Sequence, residues 1–300
     1  IQVYLNNVKE INFVERIWRK AYTFKMKYRQ EPILPQFISN KLDAIRFILN
    51  KSLLNISKFK FLTYQFTNKE NLRFIQNVVT NSDNIRNKFK EKYKINSDVI
   101  YPPIETSSYT YKPHKNYWLS INRIVPLKRI ELQLKAFALL PEEQLIIVGD
   151  FEHKEYCSYL LSIKPPNVTF MGVVEESKKI ELLSECKGFI FTAQDEDFGM
   201  SIVEAMASGK PVIAPKEGGC LETVIHEKTG YLVEHIDTDS LVYAIRKINL
   251  SPESYAKECM QQARKFDTFY FVDKIITLME ATRPFNRQVI PYDEIKMRFR

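Results

Sequence analysis

The stretch GFIFTAQDEDFGMSIVEAMASGKPVIA, Gly188 to Ala214, decides the fold. Gly188 to Thr192 and Lys210 to Ala214 are short apolar runs rich in β-formers, and Met200 to Ser208 carries a helical pattern, so the stretch reads strand, loop, helix, strand. Such a unit puts the loop Ala193 to Gly199 at the carboxyl end of the first strand and turns the helix start, near Gly199 to Ser201, into the same crevice. Unpaired amides and the positive end of the helix dipole suit that place to phosphate. Glu196 in the loop and Glu204 eight residues on flank it. Taken alone, the two carboxylates have two readings: acceptors for the hydroxyls of a phosphorylated sugar compound, or ordinary capping charges at a helix start.

Working outward, strand and helix alternate about six times between Asn116 and Val233. Expected strands are Tyr117 to Ile121, Gln144 to Gly149, Val168 to Gly172 and Gly230 to Val233; expected helices are Ile130 to Leu140, Lys154 to Ile163, Glu175 to Cys186 and Cys220 to Ile225. Alternation of this kind is the pattern of a parallel sheet wrapped on both faces, a Rossmann-like domain. Helices Asp237 to Ile248, Pro252 to Phe266 and Thr268 to Thr282 follow. There is no GxGxxG after the first strand and no Walker lysine motif, so neither a nicotinamide cofactor nor a P-loop is supported. Phosphate contacts must come from elsewhere. Arg123 and Lys128 leave the carboxyl end of strand Tyr117 to Ile121, bent towards each other by Pro126, and a guanidinium beside an ammonium suits a diphosphate. The Gly218-Gly219 pair reads either as close backbone approach to a ligand or as a plain turn.

Upstream the pattern is fainter. Ile1 to Leu5 is an expected strand, Val8 to Lys27 and Pro35 to Ser57 expected helices, Val78 to Ser82 a strand, Ser82 to Tyr93 a helix and Asp98 to Tyr101 a strand. Pro102 and Pro103 then impose an extended linker. This divides the 300 residues into a partial amino-terminal domain, 1–109, a Rossmann-like domain, 110–282, and a tail, 283–300. Net charge is +8, unevenly placed: residues 1–115 hold 21 Lys and Arg against 9 Asp and Glu, or +12, and the remainder is −4. A nucleic-acid face, an anionic membrane contact and solvation by lysine all stay open for that basic third, although spread lysines and the lack of a nucleic-acid motif argue against the first. No apolar run reaches the roughly 18 residues of a membrane helix, and the first residues, IQVYLNN, lack a starting Met and the basic and apolar regions of a signal peptide, so a fragment or a trimmed chain is the expectation. Cys157, Cys186, Cys220 and Cys259 lack metal spacing and read as reduced core or near-core thiols of a cytoplasmic protein. His114, His153, His226 and His235 read as surface residues.

Together, RIVPLKRIEL, LIIVGD, VTFMGVV, DEDFGMSIVEAMASGKPVIAPKEGGCLETV and KTGYLV resemble the carboxyl-terminal half of the retaining glycosyltransferases of family 4, which have the GT-B fold of two Rossmann-like domains facing a cleft. The form of the basic loop and of EDFG is most similar to the mannosyltransferase branch acting on O-antigen and other lipid-linked glycans. The resemblance implies an enzyme moving a hexose, with mannose the leading candidate, from a nucleoside-diphosphate sugar such as GDP-mannose or a UDP-sugar to a lipid-linked or cell-envelope glycan at the cytoplasmic face of a membrane. It implies that Arg123 and Lys128 clamp the diphosphate, that Glu196 faces the donor sugar and Glu204 the ribose, and that Phe198, Gly199, Met200 and Ser201 meet sugar and phosphate oxygens. Gly172 and Val173 would border the base, and no metal or other cofactor is called for. The chain departs from the family at its start, where about 100 residues precede the YPP linker, too few for a full α/β half. A non-catalytic nucleotide-sugar-binding or scaffold subunit is the alternative.

Overall fold

The structure, a computed structural model, describes residues 2–3, 78–151 and 153–281. By its contacts the chain divides between Val79 and Thr80. In the first unit the described residues form one antiparallel pair, Gln2 opposite Val79 and Val3 opposite Val78, made by β1 (Gln2–Val3) and the first two residues of β2 (Val78–Thr80). The helices expected over 8–27 and 35–57 lie outside the described residues, as does the tail.

The second unit opens with α1 (Asp83–Tyr93), which starts where Ser82 leaves the extended region and its hydroxyl accepts from the Ile85 amide, and stops where Lys94 turns left-handed. After β3 (Asp98–Val99) the main alternation begins: β4 (Trp118–Ile121), α2 (Ile130–Ala138), β5 (Leu145–Val148), α3 (Lys154–Ser162), β6 (Val168–Gly172), α4 (Glu176–Glu185), β7 (Gly188–Ile190), α5 (Met200–Ala207), β8 (Val212–Pro215), the short α6 (Cys220–Thr223) and β9 (Gly230–Val233). Helices α7 (Thr238–Asn249), α8 (Ala256–Arg264) and α9 (Thr268–Ala281) close the unit, and a 3₁₀ turn, Pro252–Tyr255, stands where α-helix was expected to begin. The sheet is parallel throughout, ordered β6-β5-β4-β7-β8-β9.

Strand side chains alternate between the two faces. Trp118, Ile147, Ile190 and Ile213 join Ile130, Leu134, Phe137 and Ile245 on one side. Leu119, Phe189, Val212 and Ala214 join Leu183, Ile202, Met206 and Phe266 on the other. Both faces are thus covered by helices, which is why the strands read as nearly unbroken apolar runs. At the foot of β4 the Trp118 indole donates to the buried Glu143 carboxylate, which also takes Lys187 at 2.6 Å and Asn249 at 2.8 Å.

The boundary expected near Tyr109 falls earlier: residues from Thr80 pack with the sheet rather than apart from it. Ile104 is buried and pairs backbone to backbone with Phe266 and Thr268, while Tyr101, Phe198 and Phe266 form a cluster of three rings in mutual contact. Apolar burial of this segment outweighs the stiffness of the Pro102-Pro103 pair that marked a boundary in the sequence.

Strand order reverses between β4 and β7. In an open parallel sheet the loops leaving the carboxyl ends of two such strands diverge and leave a crevice. Here they are 122–129 and 191–199, the two loops that carry the basic pair and Glu196.

Candidate active site

The loop after β4 is tied down before it reaches the crevice. The Ile124 amide bonds the Asp150 carbonyl at 2.9 Å, and Pro126–Lys128 forms a 3₁₀ turn that Arg129 ends with a left-handed φ of 50°. The Arg129 guanidinium bonds the Thr192 carbonyl at 2.6 Å, the Ala193 carbonyl at 3.1 Å and the Glu217 carboxylate at 2.7 Å, stitching this loop to the one after β7. With Arg129 in that role, Lys128 and Arg123 are the cations of this loop that line the crevice. The Lys128 ammonium lies 2.5 Å from Glu196 Oε2 and 5.2 Å from the centre of the Phe191 ring.

The loop after β7 reaches α5 through strained backbone. Asp195 has a φ of 47°, and Gly199, at 88°, is the N-cap of α5 without any side chain bonding the first amides. A Cβ on Gly199 would meet only the movable tip of the Ile202 side chain, at 2.8 Å, so it is the left-handed backbone that calls for glycine, and the first turn of α5 opens to the crevice unshielded. The loop is propped from below by the glycine pair: the Gly219 amide donates to the Glu196 carbonyl at 2.7 Å, and a Cβ on Gly218 or Gly219 would meet the backbone of residues 195–198 at about 2.5 Å. The close approach expected of Gly218-Gly219 is to the donor as ligand; in the structure the pair instead packs against the backbone of the Glu196 loop.

Glu204 lies one turn further along α5. Its carboxylate takes the Lys179 ammonium at 3.0 Å, and Lys179 also holds Glu176 at 2.8 Å. Burial opposes the charge on Lys179, but the bonds and charges of the two glutamates outweigh it and raise its pKa above the ordinary lysine value. The Tyr109 hydroxyl is pushed well above the usual tyrosine range by burial and then by Glu204.

Around these loops is a cleft of about 570 Å³. Arg123, Lys128, Val173, Glu196, Phe198, Gly199, Met200 and Ser201 all line it. Glu204, Gly172, Gly218 and Gly219 are not on its wall: Glu204 reaches it through Lys179, Gly172 precedes lining Val173, and the glycine pair supports the loop. Sequence reasoning missed Lys179, Asp150 and Asn81 as lining residues. Asn81 ends the VVTN strand, in a polar turn that offered no sign of which face it met. Among the described residues no group of three or more His, Cys, Asp or Glu could hold a metal ion, and no helix is long and apolar enough to cross a membrane.

Residues 105–266, which hold the whole sheet and both crevice loops, match the family of glycosyl transferases group 1. The chain belongs to this family. Among group 1 relatives it is similar to the alpha-1,3/1,6-mannosyltransferase ALG2 of Dictyostelium discoideum, 30% identical over 52% of this chain and 48% of that protein. The mouse ALG2 is 27% identical over 66% of this chain and 57% of that protein. The chain thus spans about half the length of the curated relatives it matches. Among solved structures, Anabaena HepE in complex with UDP-glucose superposes with a TM-score of 0.64 at 25% identity, covering 70% of this chain and 65% of that one. Sucrose-phosphate synthase from Thermosynechococcus elongatus gives 0.65 at 23%, covering 73% and 61%. The fold is GT-B, and the described residues contain its carboxyl-terminal Rossmann-like half.

Proposed function

We propose that this chain is the donor-binding part of a retaining glycosyltransferase that takes a hexose, mannose from GDP-mannose in the first instance, from a nucleoside-diphosphate sugar to a lipid-linked or cell-envelope glycan. The observation that carries this reading is the grouping, in one switch-point crevice, of Arg123, the Lys128–Glu196 pair at 2.5 Å and the uncapped start of α5. An anion seated there meets a guanidinium, an ammonium and free amides at once. The Lys128 ammonium, bound to Glu196, links the two ends of the chemistry: it offsets charge on the departing diphosphate while it orients the carboxylate that receives the sugar hydroxyls. Glu204 acts on the ribose through Lys179, the cleft-lining ammonium that it holds, and Val173 borders the base. The acceptor attacks from the face the diphosphate leaves, and a phosphate oxygen takes its proton, so the scheme calls on no metal. A UDP-sugar is the alternative donor, since HepE is described with UDP-glucose. The relatives named as mannosyltransferases support the sugar, and the +12 charge of residues 1–115 supports an acceptor at the anionic cytoplasmic face of a membrane. The test is transfer of radiolabelled mannose from GDP-mannose to a membrane lipid extract. Lys128→Ala should lower turnover by about 10²–10³-fold, as removal of a group stabilising developing charge does; a Lys128→Ala or Glu196→Ala variant with unchanged turnover rules the assignment out.

A further inference from the structure

Three residues of the loop that carries Glu196 are gripped from outside the sheet. Lys88 of α1 reaches both carboxylate oxygens of Asp195, at 2.5 and 2.6 Å. Asn84 Nδ2 donates to the Glu196 carbonyl at 3.2 Å. The Tyr101 ring stacks on Phe198 with centroids 5.4 Å apart. All three belong to the segment from Thr80 to Pro102, whose Asn81 and Pro102 line the cleft. One carboxylate fastens the segment. Glu222 of α6 accepts the Asp83 amide on Oε2 and the Asn84 amide on Oε1, both at 2.8 Å. These are the first two amides of α1, which have no acceptor within the helix, so Glu222 caps it from another element and meets the positive end of its dipole. Immediately before that cap stands Asn81, whose Oδ1 lies 3.4 Å from the Ser82 hydroxyl.

We propose that Glu222 is a positioning residue of the donor site: it docks the Thr80–Pro102 segment as a second wall of the cleft and thereby sets the Asn81 amide against the transferring sugar. The proposal rests on the donor-site reading above. An amide side chain carries both a donor and an acceptor and so matches the vicinal hydroxyls of a hexose. Glu222→Gln keeps the size of the side chain but leaves one oxygen for two amides.

The experiment is hydrogen exchange and calorimetric titration with GDP-mannose and UDP-glucose on the 300-residue chain, for wild type, Glu222→Gln, Asn81→Ala and the double variant. Glu222→Gln is expected to speed exchange of the Asp83 and Asn84 amides and of residues 195–199 by about tenfold, the worth of a charge-assisted hydrogen bond, with the amides of the central strands unchanged. The single variants should each weaken the nucleotide sugar that binds, and the double variant should be no weaker than the worse single, because both act through one wall. Unchanged exchange at residues 83, 84 and 195–199 overturns the docking. Additive losses in the double variant overturn the route through Asn81. A wild type that binds neither nucleotide sugar, with exchange responding as expected, refutes the donor reading and the Asn81 role while the docking stands. Asn81→Ala alters no bond to Glu222, so it decides the sugar contact even if Glu222→Gln does not fold.

Discussion

Replacing Gly219 by Ala separates the steric demand of the Glu196 loop from any demand on backbone angle. Gly219 has an ordinary φ of −67°, so alanine is allowed there conformationally. Its Cβ, however, would lie 2.4 Å from the Asp197 carbonyl oxygen and 2.5 Å from the Phe198 Cα. These are backbone atoms that cannot swing aside, and ordinary contact begins near 3.4 Å, so the two loops must part by about 1 Å. Overpacking of this kind costs about 1–3 kcal/mol. Loss of the Gly219 amide bond to the Glu196 carbonyl adds roughly 1 kcal/mol. The sum is a destabilisation of about 2–4 kcal/mol. Gly172→Ala is the control: its φ of 68° strains an L residue, but nothing lies within 4 Å of the added carbon, so about 1 kcal/mol is expected. Urea unfolding followed by circular dichroism measures both. Because a 1 Å shift of a site residue can cost 10²-fold in rate, Gly219→Ala should also weaken nucleotide-sugar binding or turnover sharply. Gly219→Ala no more destabilising than Gly172→Ala, with nucleotide-sugar binding and turnover intact, would refute the assignment of the glycine pair to loop support.

Other consequences concern the core and the chemistry. Lys187 and Glu143 form a pair at 2.6 Å with both side chains 8% exposed; Lys187→Met should cost about 3–5 kcal/mol by leaving a buried carboxylate uncompensated, whereas replacing both with apolar residues should cost far less, as urea midpoints will report. Burial pushes the thiols of Cys186 and Cys220 up to about 12, with nearby Glu196 and Glu217 adding to the shift at Cys220. A thiol ionises near 8.5 in the unfolded chain. The folded state therefore keeps a proton the unfolded state loses, the stabilisation is full below about pH 8.5, and it drains away as pH rises towards 12 at up to roughly 1.4 kcal/mol per pH unit per thiol. Cys186→Ala should flatten that alkaline slope in a denaturation series. Transfer activity should survive EDTA; its abolition, with recovery on adding a divalent cation, would contradict the metal-free scheme.

The carboxyl-terminal architecture was legible because a doubly covered parallel sheet leaves its mark on every strand. QLIIVG and GFIF admit few other readings, and the helices between them carry an apolar face. The observed elements are one or two residues shorter than expected at several ends, where side chains stay apolar after the ladder has stopped. The crevice residues Arg123, Lys128 and Glu196 were legible through topology, since loops after strands on either side of a reversal must meet. What could not be read was pairing across long separations. Nothing local indicates that Lys128 meets a carboxylate 68 residues on, that Arg129 stitches loops while Lys128 faces the cleft, or that Glu222 caps a helix 138 residues upstream. Gly218-Gly219 was open between two readings for the same reason, its partner being another loop. The boundary near Tyr109 was misplaced because two prolines announce stiffness, while the burial of Ile104 and Tyr101 against Phe266 is a tertiary matter.

The crevice between the loops after β4 and β7 is the proposed seat of a nucleoside-diphosphate sugar. Calorimetric titration of the chain with GDP-mannose, UDP-glucose and an ADP-sugar tests it most directly, on wild type beside Arg123→Ala. One nucleotide sugar should bind, and Arg123→Ala should weaken it by about tenfold or more, the worth of one charge-assisted phosphate contact. Binding of none of the three, or binding that Arg123→Ala leaves unchanged, would contradict the account.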